Sequence, residues 1–176
     1  MVVTGPPGAG KTTLAVPLAR DLGLPLLAKD TVKEALMDAI GAVTVERSKE
    51  LGRGAFAALW ALAAGHLDTG CGAIVEGNFT RDALERELPP LAARSRALVI
   101  HCVAPAPVLL ARRRARCASR HPGHHEAARL ADPDTFMRAD QLPPRLPLPV
   151  LCVDTSGPPE PRAILLWTRA RLLTTA

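Results

Sequence analysis

GPPGAGKTT, residues 5 to 13, is the stretch that decides the fold class of this chain. Its glycines can adopt positive φ angles and let successive backbone N–H groups approach a bound anion closely. The lysine adds a mobile positive charge, and the hydroxyl group that follows it is suited to a magnesium ion bridging phosphates. The predicted nucleotide contacts are Gly5, Pro6, Pro7, Gly8, Ala9, Gly10, Lys11, Thr12 and Thr13.

The spacing matches the P-loop, or Walker A, pattern G-x-x-x-x-G-K-[ST], and the flanking segments support it. Residues 1–4 form an apolar, β-branched run typical of a buried strand. Leu14, Leu18 and Leu22 then lie at helical spacing, although Pro17 predicts a kink. A glycine-rich turn without a ligand would explain the glycines, but it would not require lysine and threonine together.

The length of 176 residues fits one α/β domain that spans residues 1–176. No apolar run reaches the roughly 18 residues of a membrane span. The first predicted strand begins at residue 2 and leaves no room for a signal peptide, so we expect a cytoplasmic protein without a membrane partner. The four cysteines lack a C-x-x-C pair, which argues against a zinc site or a redox dithiol. Cys102 and Cys152 fall within predicted buried strands.

The net charge of +5 is concentrated in one segment of the chain. Six arginines and one glutamate between residues 112 and 129 account for all of it. This distribution argues against a surface-wide nucleic-acid binder and favours one cationic segment directed at an anion. We call residues 107–130 the lid segment, because we expect it to close over a bound nucleotide.

The order of elements predicts the architecture. Strands are expected near residues 2–4, 24–28, 73–78, 97–103 and 150–153. Helices are expected near residues 11–21, 31–40, 47–67, 80–95, 107–120 and 160–173, with Pro89-Pro90 breaking or kinking the fourth. Alternation of this kind predicts an α/β fold, in which helices cover both faces of a five-stranded, mainly parallel sheet in three layers, α/β/α.

Functional side chains are expected at the carboxyl ends of the parallel strands. Asp30 is the candidate general base that would orient or deprotonate an attacking hydroxyl, with a helix N-cap as the alternative. Glu76 follows an apolar strand as a Walker B acid does, so Thr12 and Glu76 are the candidate magnesium ligands. Whether Glu76 contacts the metal, a metal-bound water or the substrate is open.

Further candidate contacts lie in the loops and helices beyond these strands. Asn78 and Arg81 could bind the substrate, as could Asp30 and Glu76. Residues 31–69 are expected to form the acceptor pocket. Ordinary loop composition also explains an asparagine and an arginine there.

In the lid segment, Arg116 and Arg120 are four residues apart, so on one helix they would share a face with Arg112 or Arg113. This stripe is suited to phosphate contacts, with a solvated arginine face as the alternative. His121, His124 and His125 flank a Pro-Gly turn, for which we expect a flexible tip without acidic partners and no zinc site.

Three longer stretches carry a family resemblance: LLAKDTVKEAL, AIVEGNF and LLARRRARCASRHPGH. Together with GPPGAGKTT they resemble the P-loop kinases labelled AAA-type ATP-binding domains, alongside chloramphenicol phosphotransferase, gluconate kinase and the 5′-kinase domain of polynucleotide kinases. The resemblance implies that Lys11 and Thr12 bind phosphate and magnesium, that Asp30 is the general base, and that Arg116 and Arg120 belong to a lid. It also implies that Asp154 and Thr155 lie near the adenine. Glu76 departs from the aspartate of many relatives.

These observations predict a kinase that uses ATP and Mg²⁺ to phosphorylate a hydroxyl group of a small molecule. Lys11, Asp30, Arg116 and Arg120 are the predicted catalytic residues. One alternative is a 5′-hydroxyl nucleic-acid kinase, since nucleic acid is possible though not favoured as a partner. Another is an ATPase switch that acts on a protein partner. The oligomeric state and the acceptor are open.

Overall fold

The computed structural model describes residues 1–41, 44–131 and 142–173, and its centre is a parallel sheet. The strands are β1 Val2–Thr4, β2 Leu26–Ala28, β3 Ile74–Glu76, β4 Val99–Val103 and β5 Val150–Asp154. They lie in the order β2-β3-β1-β4-β5, and every described pairing is parallel. The predicted five-stranded parallel sheet is therefore confirmed.

Helices connect the strands within the described ranges. They are α1 Lys11–Leu22, α2 Lys29–Ile40, α3 Val45–Asp68, α4 Arg81–Glu87, α5 Pro89–Ala92, α6 Ala106–Arg116, α7 Glu126–Leu130 and α8 Pro161–Leu173. The predicted helix 80–95 is divided at Leu88, before the two prolines. The predicted helix 107–120 is wrong at its end, because α6 stops at Arg116 and a 3₁₀ turn, Cys117–Ser119, follows.

Alternating side chains of the central strands build a core on each face of the sheet. Val3, Ile74 and Ile100 pack with the apolar sides of α1, α6 and α8. Their neighbours Val2 and Val75 point the other way and pack with α3 and α4. This arrangement confirms the three-layer α/β/α prediction, and it leaves the carboxyl ends of the strands to form the site.

Two further predictions can be compared with the fold. Cys102 is buried as expected, but Cys152 is exposed, because β5 is an edge strand with a partner on one side only. Helix α1 continues through Pro17. None of the helices in the described ranges is both long enough and apolar enough to span a membrane.

Candidate functional site

The loop between β1 and α1 has three glycines with positive φ angles, and two of them are packed too closely for a side chain. Gly5, Gly8 and Gly10 have φ angles of +139°, +90° and +69°. A Cβ atom at Gly8 would lie 2.8 Å from the carbonyl oxygen of Leu109, and one at Gly5 would collide with the carbonyl oxygen of Cys102. The loop therefore has the positive φ angles and close backbone approach expected of a phosphate cradle.

Lys11 begins α1 and folds back over this loop. Its Nζ donates a hydrogen bond to the carbonyl oxygen of Pro6, at 3.0 Å. Burial lowers the pKa of Lys11, while the negative charges of Glu76 and Asp30 oppose that shift. The side chain thus places its ammonium group where the loop, the strand ends and a bound phosphate would meet.

The two candidate magnesium ligands contact each other. Thr12 Oγ1 donates to Glu76 Oε2 at 2.9 Å, and Glu76 is only 5% exposed at the end of β3. Burial raises the pKa of Glu76, opposed by the charge of Lys11 and by the hydrogen bond from Thr12. A hydroxyl and a carboxylate oxygen are hard ligands that fit Mg²⁺, so these two residues fit the predicted ion.

Asp30 lies in the first turn of α2, beside the end of β3. The N-cap alternative is wrong, because α2 begins at Lys29 and is capped by Ala28 without a side-chain hydrogen bond. Asp30 Oδ1 accepts from Lys29 Nζ at 3.0 Å, and Oδ2 accepts from Arg120 Nη2 at 2.5 Å. Burial alone would raise the pKa of Asp30, but the charges and hydrogen bonds of Lys29 and Arg120 hold it far below its ordinary value.

One polar pocket brings most of the predicted residues together. It is lined by Pro7, Gly8, Gly10, Lys11, Thr12, Thr13, Lys29, Asp30, Glu76, Gly77, Asn78, Arg113, Arg116, Arg120, His124, Glu126 and Arg129. The P-loop, the first turn of α2, the end of β3 and the lid segment all contribute to it. Because these elements are distant in sequence, their convergence depends on the parallel sheet.

Six predicted site residues lie outside this lining: Gly5, Pro6 and Ala9 of the loop, and Arg81, Asp154 and Thr155. Arg81 Nε donates to the carbonyl oxygen of Pro143 at 2.8 Å. Thr155 is buried, and its hydroxyl lies 3.0 Å from the carbonyl oxygen of Ala9, which ties β5 to the P-loop. Asp154 is exposed and accepts from the Ser156 backbone and hydroxyl. Their proposed contacts with substrate or adenine remain predictions.

The lid arginines reach the pocket by a different route from the predicted one. Arg116 is the last residue of α6, and Arg120 follows the 3₁₀ turn, so they do not share one helical face. Both nevertheless line the pocket. Arg113 also lines the pocket, but it is 2% exposed and donates to Glu126 Oε1 at 2.8 Å, which gives it a structural ion pair. The Nε atoms of Arg116 and Arg120 are buried without a hydrogen-bond partner in the described part of the chain.

The histidine turn of the lid segment is packed against α2, so the expectation of a tip without acidic partners is wrong. Asp30, Glu34 and Asp38 recur every four residues along α2 and contact, in turn, Arg120, His124 and His121. This acidic spacing was the sequence signal that could have revealed the contact.

A second contact fixes the same turn to α3. Ser48 Oγ donates to the carbonyl oxygen of Gly123 at 2.6 Å, and Lys33 Nζ donates to Ser48 Oγ at 2.7 Å. Lys33 and Ser48 are buried polar residues that sequence reasoning missed. They fix the turn of the lid segment above the pocket.

His124 is a neutral hydrogen-bonding group within this contact. Arg120 can only donate, so Nδ1 of His124 accepts at 3.4 Å, and Nε2 carries the proton toward Glu34 Oε1 at 2.7 Å. Burial and the charge of Arg120 lower the pKa of His124 to about 3. One potential ligand atom from each of Asp30, Glu34 and His124 lies within 4.8 Å of the other two, but the cations paired with Asp30 oppose metal binding there.

Comparisons with known proteins agree with this geometry. A family of AAA domains matches residues 1–154. The structure of a candidate kinase from Chloroflexus aurantiacus is similar with a TM-score of 0.84 and 36% identity, covering 97% of this chain and 96% of that one. No curated protein matches the chain.

More distant structures share the fold. A sugar kinase from Janibacter sp. HTCC2649 has a TM-score of 0.60 at 24% identity, covering 98% of this chain and 92% of that one. A gluconokinase from Sinorhizobium meliloti 1021 has a TM-score of 0.53 at 18% identity, covering 98% and 90%. The P-loop kinase fold implies nucleotide binding. The chain belongs to this family of AAA domains and, with it, to the P-loop kinase superfamily.

Proposed function

We propose that the protein is a magnesium-dependent kinase that transfers the γ-phosphate of ATP to a hydroxyl group of a small, polar molecule. The observation that carries the proposal is the shared pocket, where Lys11, the carboxylate of Asp30 and the lid arginines converge. Phosphoryl transfer needs positioning and charge stabilisation more than covalent chemistry, and this set of residues supplies both.

The roles follow from the contacts. The P-loop backbone and Lys11 would hold the phosphates, and the free N–H groups of Arg116 and Arg120 would donate to phosphate oxygens. Thr12 and Glu76 would hold Mg²⁺, which neutralises charge on those oxygens when it is bound. Asp30 would accept a hydrogen bond from the acceptor hydroxyl and align it. The ion pair with Lys29 favours the ionised form of this carboxylate, which would orient the hydroxyl and accept its proton during the transfer.

The lining of the pocket supports a hydrophilic acceptor. Apart from Pro7 and the glycines, every described residue that lines it carries a polar or charged side chain. Such a surface gains little from an apolar substrate, whereas several hydroxyl groups could pair with its donors and acceptors. A small polyhydroxylated molecule therefore fits the pocket best.

The test is transfer of label from [γ-³²P]ATP in the presence of Mg²⁺. The acceptor panel contains sugars, sugar acids, hydroxylated antibiotics, 5′-hydroxyl oligonucleotides and a blank without acceptor. We expect label on a small polyhydroxylated compound. Label on oligonucleotides alone would favour the nucleic-acid kinase, and phosphate release without any acceptor would favour the ATPase switch.

Two variants test the assigned residues in the same assay. Lys11→Ala should abolish transfer because it removes the cation of the cradle, and Asp30→Asn should reduce transfer by roughly a hundredfold or more. Lys49→Ala removes a lysine from an exposed position of α3 and is the control. Wild-type turnover in Lys11→Ala would refute the P-loop assignment, and wild-type turnover in Asp30→Asn would refute the role of the carboxylate.

A further inference from the structure

Arg120 contacts the candidate base and lines the same pocket as the P-loop. Its Nη2 donates to Asp30 Oδ2 at 2.5 Å, and the same side chain lines the pocket with Lys11 and Thr12 of the P-loop. Its Nε is buried without a hydrogen-bond partner among the described residues, and Oε2 of Glu126 lies 3.9 Å from it, beyond hydrogen-bond distance. A guanidinium with an unused buried N–H group can donate a hydrogen bond to a further anion.

Asp30 also forms an ion pair that does not involve Arg120. Lys29 Nζ contacts Oδ1 at 3.0 Å, while Arg120 occupies Oδ2. If Arg120 turned away, Asp30 would keep one ion pair and present one free oxygen toward the pocket. That oxygen is the one an acceptor hydroxyl would need.

We propose that Arg120 exchanges partners, so that nucleotide phosphates compete with Asp30 for its guanidinium and, by winning it, free the candidate base for the acceptor. The proposal rests on the proposed function and describes how the two substrate sites are coupled. Phosphate oxygens attract a planar guanidinium by bidentate contacts, as a carboxylate does, so the competition is between chemically similar partners. By linkage, an acceptor that needs the free oxygen would bind more tightly when nucleotide is present.

The competition predicts that removing the charge of Asp30 strengthens nucleotide binding. Isothermal titration with AMP-PNP and Mg²⁺ would compare wild type, Asp30→Asn, Arg120→Ala and the double variant. We expect Asp30→Asn to bind AMP-PNP at least about threefold more tightly than wild type. We expect Arg120→Ala to bind it more weakly than wild type. In the Arg120→Ala background, the Asp30→Asn change should bring no gain, because the contested side chain is gone.

A matched control separates this exchange from general charge repulsion. Asp38→Asn removes a carboxylate from the same helix that also contacts the lid segment, through His121, but lies outside the pocket. We expect it to change the affinity by less than twofold. Circular dichroism checks that each variant folds, and Asp30→Ser replaces Asp30→Asn if the latter does not.

The outcomes are distinguishable. An equal gain from Asp30→Asn in both backgrounds would mean electrostatic repulsion without exchange and would overturn the inference alone. Unchanged affinity in Asp30→Asn would also overturn it. Failure of the wild-type protein to bind AMP-PNP with Mg²⁺ would overturn the proposed function as well.

Discussion

Gly8 and Gly23 both have positive φ angles, +90° and +65°, but they differ in the space around them. A Cβ atom at Gly8 would lie 2.8 Å from the Leu109 carbonyl oxygen and 3.2 Å from Cγ of Arg113. At Gly23, the C-cap of α1, no atom lies within 4 Å of the added carbon. The backbone strain is therefore shared by both positions, whereas the collision belongs to Gly8 alone.

We expect Gly8→Ala to destabilise the protein more than Gly23→Ala. Alanine in the left-handed region costs roughly 1–2 kcal/mol at either position. At Gly8 the loop must also move away from α6, which should disturb the phosphate cradle and weaken nucleotide binding. Urea unfolding with AMP-PNP titration of both variants is the measurement. Equal losses of stability, with unchanged nucleotide affinity in Gly8→Ala, would show that the loop is not packed as described.

At the scale of elements, α2 holds the lid segment through charge as well as shape. The ring of His124 is hydrogen-bonded to Arg120 through Nδ1 and to Glu34 through Nε2. The charges that also act on it are those of Lys29, Asp30 and Lys33. Its side chain is 3% exposed, so protonation would place a charge in a confined space beside a guanidinium.

This burial predicts acid sensitivity. The folded-state pKa of His124, about 3, lies below the value of about 6.5 expected in the unfolded chain. As the pH falls from about 6.5 toward 3, the unfolded chain binds a proton that the folded chain does not, so stability falls. The slope from this residue is at most about 1.4 kcal/mol per pH unit.

Urea unfolding of wild type and His124→Gln between about pH 5 and 7.5 measures this contribution. The variant should lose part of the pH dependence in that range. His66→Gln, which removes a histidine near the end of α3, is the control and should keep the wild-type slope. A slope in His124→Gln equal to that of wild type would contradict the neutral, buried assignment.

Helix α3 carries glycine at an exposed position that no packing requires. An added Cβ atom at Gly54 meets nothing within 4 Å. Gly54→Ala should therefore raise the free energy of unfolding by about 0.5–1 kcal/mol, because alanine loses less backbone entropy in a helix. The exposed Ala57 offers the reverse change, and Ala57→Gly should lower it by a similar amount in the same urea titration. A loss of stability in Gly54→Ala would indicate an unrecognised constraint on α3.

For the molecule as a whole, the sequence was most informative where local patterns decide the structure. The apolar runs around Val3, Ile74 and Ile100 predicted the central strands, and the spacing of GPPGAGKTT predicted the loop between β1 and α1. The end of α6 was mispredicted, because nothing local distinguishes Arg116 from Arg120 as the last helical residue. Burial of Cys152 was mispredicted because edge and central strands look alike in sequence.

The candidate site, too, was predictable only where a local sequence pattern decides the structure. Lys11, Thr12 and Glu76 were predictable because each follows directly from a motif or a strand end. The packing of His124 on α2 was not, because it joins segments 90 residues apart and depends on where the lid segment returns to the sheet. Buried ion pairs such as Arg113 with Glu126 are equally invisible, since a run of arginines gives no sign of which one turns inward.

The last prediction concerns the stability of the whole molecule with nucleotide bound. The pocket joins the P-loop, α2, the end of β3 and the lid segment, so a ligand that binds it stabilises the folded chain only. At a nucleotide concentration 100 times the dissociation constant, the gain is about 2.7 kcal/mol. For a chain of this length, that corresponds to a rise in Tm of about 5–10 °C. Differential scanning calorimetry with AMP-PNP and Mg²⁺ should show this rise in wild type and in Lys49→Ala, and none in Lys11→Ala. An equal rise in Lys11→Ala, or with Mg²⁺ alone, would place the stabilising ligand somewhere other than the P-loop.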